Sequence, residues 1–337
     1  MHAIGYRIPL PIEEPQSLVD IELPQPAAEG RDLLVAVKAV SVNPIDTKVR
    51  RSVAPEADQW KVLGWDAAGV VVETGPQAGL FRPGDEVYYA GALARPGTNA
   101  EFHRVDERIV GRKPATLGWA EAAALPLTAI TAWEALFDRL DVANRIVAGA
   151  APAVLIVGGA GGVGSIAIQL ACRLTHLAVI ATASRPESRQ WALDLGAHHV
   201  VDHGLPLADQ VAALGLGAPA FVFCTTHTQV HAPEIARLIA PQGCFALIDS
   251  PVLDFNLFKQ KSVSIHWELM FTRSMFETAD MGEQGALLNR VAQLVDAGQV
   301  RTTLSETLGS IDAANLKRAH ERIEGGHTRG KLVLEGF

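Results

Sequence analysis

Cysteine is scarce: Cys172, Cys224 and Cys244 are the only three in 337 residues, too few for a disulfide framework. Basic runs are missing too. With 29 Lys+Arg against 37 Asp+Glu the formal net charge is −8, and the lack of any Lys/Arg block argues against a nucleic acid or an anionic membrane as partner. A small molecule is the partner class left. The stretch MHAIGYRIPLPIEEPQ has no apolar run behind a basic start, so no secretory signal is read there and a cytoplasmic protein is expected. One charge-free stretch, between Arg145 and Arg173, is long enough to span a bilayer. However, Pro152 and five glycines from Gly158 to Gly164 spoil a single helix and suit a strand, a tight turn and a helix.

What is present is apolar and periodic. A chain of this length with 48% hydrophobic residues buries a large core and is expected to form two domains. The run AVLIV (Ala153 to Val157) reads as a strand buried on both faces. GGAGGVG follows at once, and SIAIQLACRL then reads as a helix of small and apolar residues. Gly159, Gly161 and Gly164 make G-x-G-x-x-G, assigned respectively to a tight turn, close approach of backbone to a pyrophosphate, and close helix-to-strand packing. Gly162 and Val163 lie inside the same turn, at the helix N-terminus that would face the phosphates. LAVIATA, HHVVD, AFVFCT and CFALID read as further strands, with PESRQWALDLG a helix closed by Gly196. This alternation predicts an α/β, Rossmann-type doubly wound parallel sheet over 125–263.

The end of the second strand bears on the nucleotide. An acidic residue there would accept from a ribose 2′-OH, whereas a 2′-phosphate wants cations and hydroxyls. The chain reads TASRPESR, with Ala183 at the acidic position and Ser184, Arg185 and Arg189 following, which favours NADPH (NADP+) over NAD(H).

Residues 1–124 are rich in short β-like runs broken by Pro and Gly, and the C-terminal portion adds two helical stretches and the strand KLVLEG. A strand there needs a sheet to join. A mainly β domain of 1–124 and 264–337 is therefore expected, with the nucleotide domain inserted. VSIHWELM (Val263 to Met270) reads as an edge strand able to pair with its twin, hence an expected homodimer.

Two patterns remain. Cys224, His227 and His231 form C-x2-H-x3-H, which lacks a fourth ligand and reads as a buried Cys with two helix-face histidines. VLGWDAAGVV (Val62 to Val71) sets Asp66 in an apolar run, where a carboxylate needs a partner or a task.

Taken together, RPGDEVYYAG, AAALPLTAITAWEALF, VGGAGGVGSIAIQLA and the terminal GKLVLEGF resemble the medium-chain dehydrogenase/reductase superfamily, in its zinc-type alcohol dehydrogenase-like branch near the quinone oxidoreductases. The resemblance covers essentially the whole chain and implies a GroES-like catalytic domain beside the Rossmann domain. It also exposes a departure. Zinc enzymes of the family carry a metal-ligating His in a Gly-His-Glu segment, which here reads Gly64-Trp65-Asp66. Asn43 stands in place of a Cys ligand, and near the third position there is only Thr128. No metal residues are therefore assigned.

Without a metal, the resemblance makes Asn43, Asp46, Lys48, Trp65 and Tyr89 the catalytic candidates; adjacent strand residues face opposite sides, so at most one of Tyr88 and Tyr89 faces the cleft, and the resemblance implies that it is Tyr89. Relatives often carry Tyr at the Lys48 position. Thr128, Thr225 and Lys331 join the cofactor-side candidates, and Lys331 is expected to meet Asp66 and to position the pyrophosphate. The implied activity is metal-independent, NADPH-dependent reduction of a quinone or α,β-unsaturated carbonyl by direct hydride transfer. Two alternatives stay open: a zinc-independent alcohol dehydrogenase or aldehyde reductase, and an NADPH-binding sensor or structural protein with negligible turnover.

Overall fold

A computed structural model describes all 337 residues. The chain forms two compact units, one of residues 131–270 and one of residues 1–130 with 271–337.

In the unit of 131–270 six parallel strands lie in the order His199–Val201, Ala178–Thr182, Ala151–Val157, Pro219–Cys224, Cys244–Leu247 and Ser264–Trp267. The order reverses direction beside Ala151–Val157, which places a topological switch point at the carboxyl end of that strand. Ala153 to Val157 are fully buried, the result of covering a parallel sheet on both faces. Helix Gly162–Leu174 packs closely because its buried face mixes Gly164, Ser165, Ala167 and Ala171 with Ile166, Ile168 and Leu170. The charge-free stretch from Arg145 to Arg173 thus divides into a strand, a turn and a helix, and no helix of the protein is long and apolar enough to cross a membrane.

The sequence partition at 263/264 misplaces one strand. Ser264–Trp267 hydrogen-bonds along Cys244–Leu247 in the parallel sheet, so it belongs with the nucleotide-type unit, whose limit falls after Met270. At the other join the limit lies within helix Pro126–Trp133.

The unit of 1–130 and 271–337 is built on a seven-stranded sheet. Its path runs Leu304–Thr307, Lys331–Glu335, Asp32–Val42, Asp66–Thr74, Glu86–Tyr89 and Val110–Arg112, with Phe102–Asp106 also pairing with the long strand Asp32–Val42. The terminal strand Lys331–Glu335 runs antiparallel to that long strand, so 131–270 is an insertion in the chain of this unit. A three-stranded sheet of Val19–Glu22, His2–Tyr6 and Lys61–Val62 encloses a small core of Ala3, Ile21, Val62 and Ala100.

Candidate functional site

The glycine turn sits at the switch point of the parallel sheet. Gly158 has φ +82°, a conformation that side chains with a Cβ rarely adopt, and a Cβ there would meet Thr225 Oγ1 at 2.4 Å. The left-handed residue of the turn is therefore Gly158, not Gly159. Gly159 donates its N–H to Thr182 O at 3.0 Å. A Cβ on Gly164 would lie 2.2 Å from Gly158 O, so helix and turn interlock only with glycine in that place. Gly161 differs. Its added Cβ would have no contact closer than 3.5 Å, which leaves open the approach that a pyrophosphate needs. Gly161, Gly162 and Val163 are half-buried at the start of the helix, whose amides carry partial positive charge. These features fit a dinucleotide.

Thr225 Oγ1 donates to Val157 O at 2.8 Å and thus tightens the strand next to the turn. At the end of strand Ala178–Thr182, Ala183 is buried and Ser184 exposed. Arg185 heads helix Pro186–Asp194, with Nε 3.6 Å from Glu187. Arg189 turns inward instead: its guanidinium donates to Ala183 O at 3.2 Å and Val200 O at 2.9 Å. It braces two strand ends, so a role for Arg189 as a phosphate-binding cation is not what this geometry provides.

In the other unit Asp66 anchors a closed polar cluster. Lys331 Nζ lies 3.0 Å from Asp66 Oδ2, Asn43 Nδ2 donates to the same oxygen at 2.8 Å, and Leu127 N–H donates to Oδ1 at 2.7 Å. Lys331 also donates to Val42 O at 3.0 Å and to Asn43 Oδ1. An ammonium has three donors, and all three are taken. Lys331 is only 3% exposed, so the expectation that it holds a pyrophosphate is corrected: it faces the interior because Asp66 is there. Asp46 completes the cluster by accepting Asn43 N–H at 2.8 Å. Burial, opposed by that N–H and by Lys331 and reinforced by Asp66, pushes the Asp46 carboxyl up to about 7.

The remaining candidates are mostly enclosed. Trp65 is buried, donates Nε1–H to Ala92 O at 3.3 Å and packs edge-on to Phe271. Tyr88 donates to Leu288 O at 2.6 Å. Tyr89 is fully buried, stacked on His103, with its hydroxyl 3.1 Å from His103 Nδ1. His103 Nε2 lies 3.0 Å from Pro96 O, and burial lowers the imidazole to about 4, so the ring is neutral. Sequence reasoning missed His103; the alternation in EFHRVD was the available signal. Among the five catalytic candidates only Lys48, on helix Pro44–Ser52, is exposed. Asn43, Asp46, Trp65 and Tyr89 each engage internal hydrogen-bond partners.

Zinc does not fit these residues. Asn43 is consumed by Asp66 and Lys331, Trp65 offers an indole N–H donor, and Thr128 donates its hydroxyl to Leu125 O at 3.0 Å. No group of three or more His, Cys, Asp or Glu side chains is placed to hold a metal ion. That includes Cys224, His227 and His231: Cys224 is buried in its strand, and His227 takes a left-handed conformation ahead of the helix that carries His231.

Comparison with known proteins places this architecture. Residues 29–132 match the alcohol dehydrogenase GroES-like domain and residues 195–334 the zinc-binding dehydrogenase family. A zinc-type alcohol dehydrogenase-like protein of Staphylococcus aureus is 37% identical, with 99% of each chain covered. A solved structure from Rhizobium etli, assigned to the zinc-dependent alcohol dehydrogenases, is 69% identical with a TM-score of 0.98, covering 100% of this chain and 98% of that one. The quinone oxidoreductase of Coxiella burnetii is 26% identical with a TM-score of 0.80, covering 100% and 99%. The chain is a zinc-type alcohol dehydrogenase-like oxidoreductase of the medium-chain dehydrogenase/reductase superfamily.

Proposed function

We propose that this protein is a metal-independent, NADPH-dependent reductase of quinones or α,β-unsaturated carbonyls. The observation that carries the reading is the donor set: the three positions where zinc relatives place ligands hold an engaged amide, a buried indole and an internally bonded hydroxyl. The chain's own groups then have to do what a Lewis acid does elsewhere. Bound NADPH supplies a hydride and is left as NADP+, while the substrate gains that hydride and one proton. Gly158 to Gly164 hold the pyrophosphate, and Ser184 and Arg185 meet the 2′-phosphate, with Ala183 offering no carboxylate to repel it. Lys48 is the exposed cation of the candidate set and serves as proton donor. Asn43, Asp46 and Lys331 act indirectly, by fixing the start of helix Pro44–Ser52 that carries Lys48.

NADPH oxidation followed with a quinone, an enal and a simple aldehyde, beside metal analysis of the purified protein, tests this reading. Turnover is expected with the first two in metal-free protein. Stoichiometric zinc required for activity overturns metal independence, and turnover confined to the aldehyde overturns the substrate class. Arg185→Ala is expected to weaken NADPH about tenfold, one charge-assisted hydrogen bond's worth, and to leave NADH unchanged. Equal loss for both cofactors would make Arg185 structural.

We also propose that the protein is a homodimer through strand Ser264–Trp267. This strand ends the parallel sheet with one edge unpaired, and beside it a groove of ≈340 Å³ is lined by Phe255, Phe258, Val263, Ile265 and Trp267. Trp267 and Phe255 are 49% and 52% exposed, and contiguous exposed apolar residues at a free strand edge mark an interaction surface. Sedimentation at micromolar concentration is expected to show a dimer, and Trp267→Lys a monomer. A wild-type monomer refutes the assignment.

A further inference from the structure

The histidines left over once a metal site is excluded converge beside the glycine turn. His203 follows strand His199–Val201, and His227 and His231 lie at the start of helix Thr228–Leu238. The rings of His203 and His231 meet edge to face, 6.3 Å between centroids. His203 Nδ1 is 3.3 Å from Thr182 Oγ1, and that hydroxyl oxygen accepts the Gly158 N–H at 3.0 Å. A single side chain therefore separates His203 from the turn. Arg185 and His227 both act electrostatically on His203, as His227 does on His231. Two carboxylates oppose them: Asp202, next to His203, and Asp249, which accepts Thr228 N–H at 2.9 Å while its Oδ1 is buried without a partner.

We propose that His203 and His231 couple cofactor choice to pH: neutral in the free protein, they take up a proton when the 2′-phosphate of NADPH docks beside Arg185. The inference rests on the NADPH reading above and adds the residues and the proton that set the preference. Burial holds both imidazoles below their ordinary range; at His203 Asp202 opposes this and the Arg185 guanidinium adds to it, and at His231 Asp249 opposes it. A dianion arriving at the Arg185 side offsets the guanidinium charge beside His203 and favours the imidazolium. The proton comes from solvent, and no covalent bond other than N–H forms. The turn itself cannot provide such discrimination, because its amides contact only the pyrophosphate common to both cofactors.

Calorimetric titration of the whole protein with NADPH and with NADH, at pH 7.5 in two buffers of different ionisation enthalpy, reads the proton directly. At that pH the 2′-phosphate, with a second pKa near 6, is already a dianion, so uptake belongs to the protein. The expected result is uptake of up to about one proton with NADPH and none with NADH. The Kd for NADPH should fall several-fold from pH 8 to pH 7, toward the limit of about tenfold per proton per pH unit. His203→Asn and His231→Gln are expected to reduce the uptake and flatten the pH dependence while NADH affinity stays unchanged, which also shows that the variants are folded. NADPH preference without proton uptake, or uptake that neither substitution alters, overturns the inference and leaves the NADPH reading standing. Equal affinity for both cofactors at every pH overturns both.

Discussion

Lys331→Met is expected to cost the fold about 3–5 kcal/mol, because it strands the Asp66 carboxylate among apolar strands. Asp66 is fully buried, and the ammonium it would lose has its other two donors committed to Val42 O and Asn43 Oδ1. Asp66→Asn is the milder change. An amide oxygen can still accept the Leu127 N–H, but Lys331 is left in the interior without its counter-charge. In the double mutant both charges are gone, so its cost is expected to fall short of the sum of the single costs, with coupling of about 1–3 kcal/mol. Urea unfolding of the four proteins at one pH measures the cycle. Additive losses within about 0.5 kcal/mol, the range of surface substitutions, would mean that the cluster contributes nothing to stability.

The second large effect has the opposite sign. Glu268→Gln is expected to stabilise the protein by roughly a few kcal/mol at pH 8. Glu268 and Glu134 are both buried, and the Arg139 guanidinium reaches Glu268 Oε2 at 2.9 Å. Burial first, then hydrogen bonding and repulsion with Glu134, push the Glu268 carboxyl up to about 9 against Arg139. The folded protein thus keeps a proton that the unfolded chain releases above pH 4.5. More protons bound in the native state mean that stability falls as pH rises between those values. Glutamine has no proton to lose, so its advantage should grow from pH 5 to pH 9 and vanish at the acidic end. Arg139 is not stranded by the change, since its side chain remains 34% exposed. Thermal unfolding across that pH range is the measurement; a variant less stable than wild type at pH 8 would show that the ion pair outweighs the retained proton.

Local signals carried the nucleotide-type unit. The apolar run 153–157, the glycines after it and the small-residue helix are neighbours in sequence and remain neighbours in the sheet, so strand, turn and helix were legible without tertiary information. Even there one detail needed coordinates: the left-handed φ falls on Gly158, which precedes the G-x-G-x-x-G spacing, because Thr225, arriving from another strand, fills the space above it. Strand Ser264–Trp267 was recognised as a strand but placed with the wrong unit, since a four-residue apolar run carries no information about which sheet supplies its hydrogen bonds.

By itself, the sequence determined the α/β class, the insertion of one unit into the chain of the other and the glycine turn that fits a dinucleotide, while the family resemblance drew attention to positions 43, 65 and 128. It also pointed to Asp66 as a charge needing a partner. Only the tertiary structure decided what the partner's remaining donors do. Lys331 lies 265 positions from Asp66, and whether its ammonium faces a phosphate or the interior depends on Val42 O and Asn43 Oδ1 reaching it at the same time. Likewise Arg189 reads as a phosphate-binding cation until two strand-end carbonyls claim it, and Tyr89 as a catalytic hydroxyl until His103 stacks on it. The physical reason is common to all three. Residue type and spacing specify which hydrogen bonds a side chain can make, but saturation of its donors and acceptors is settled by groups that the fold brings from distant parts of the chain.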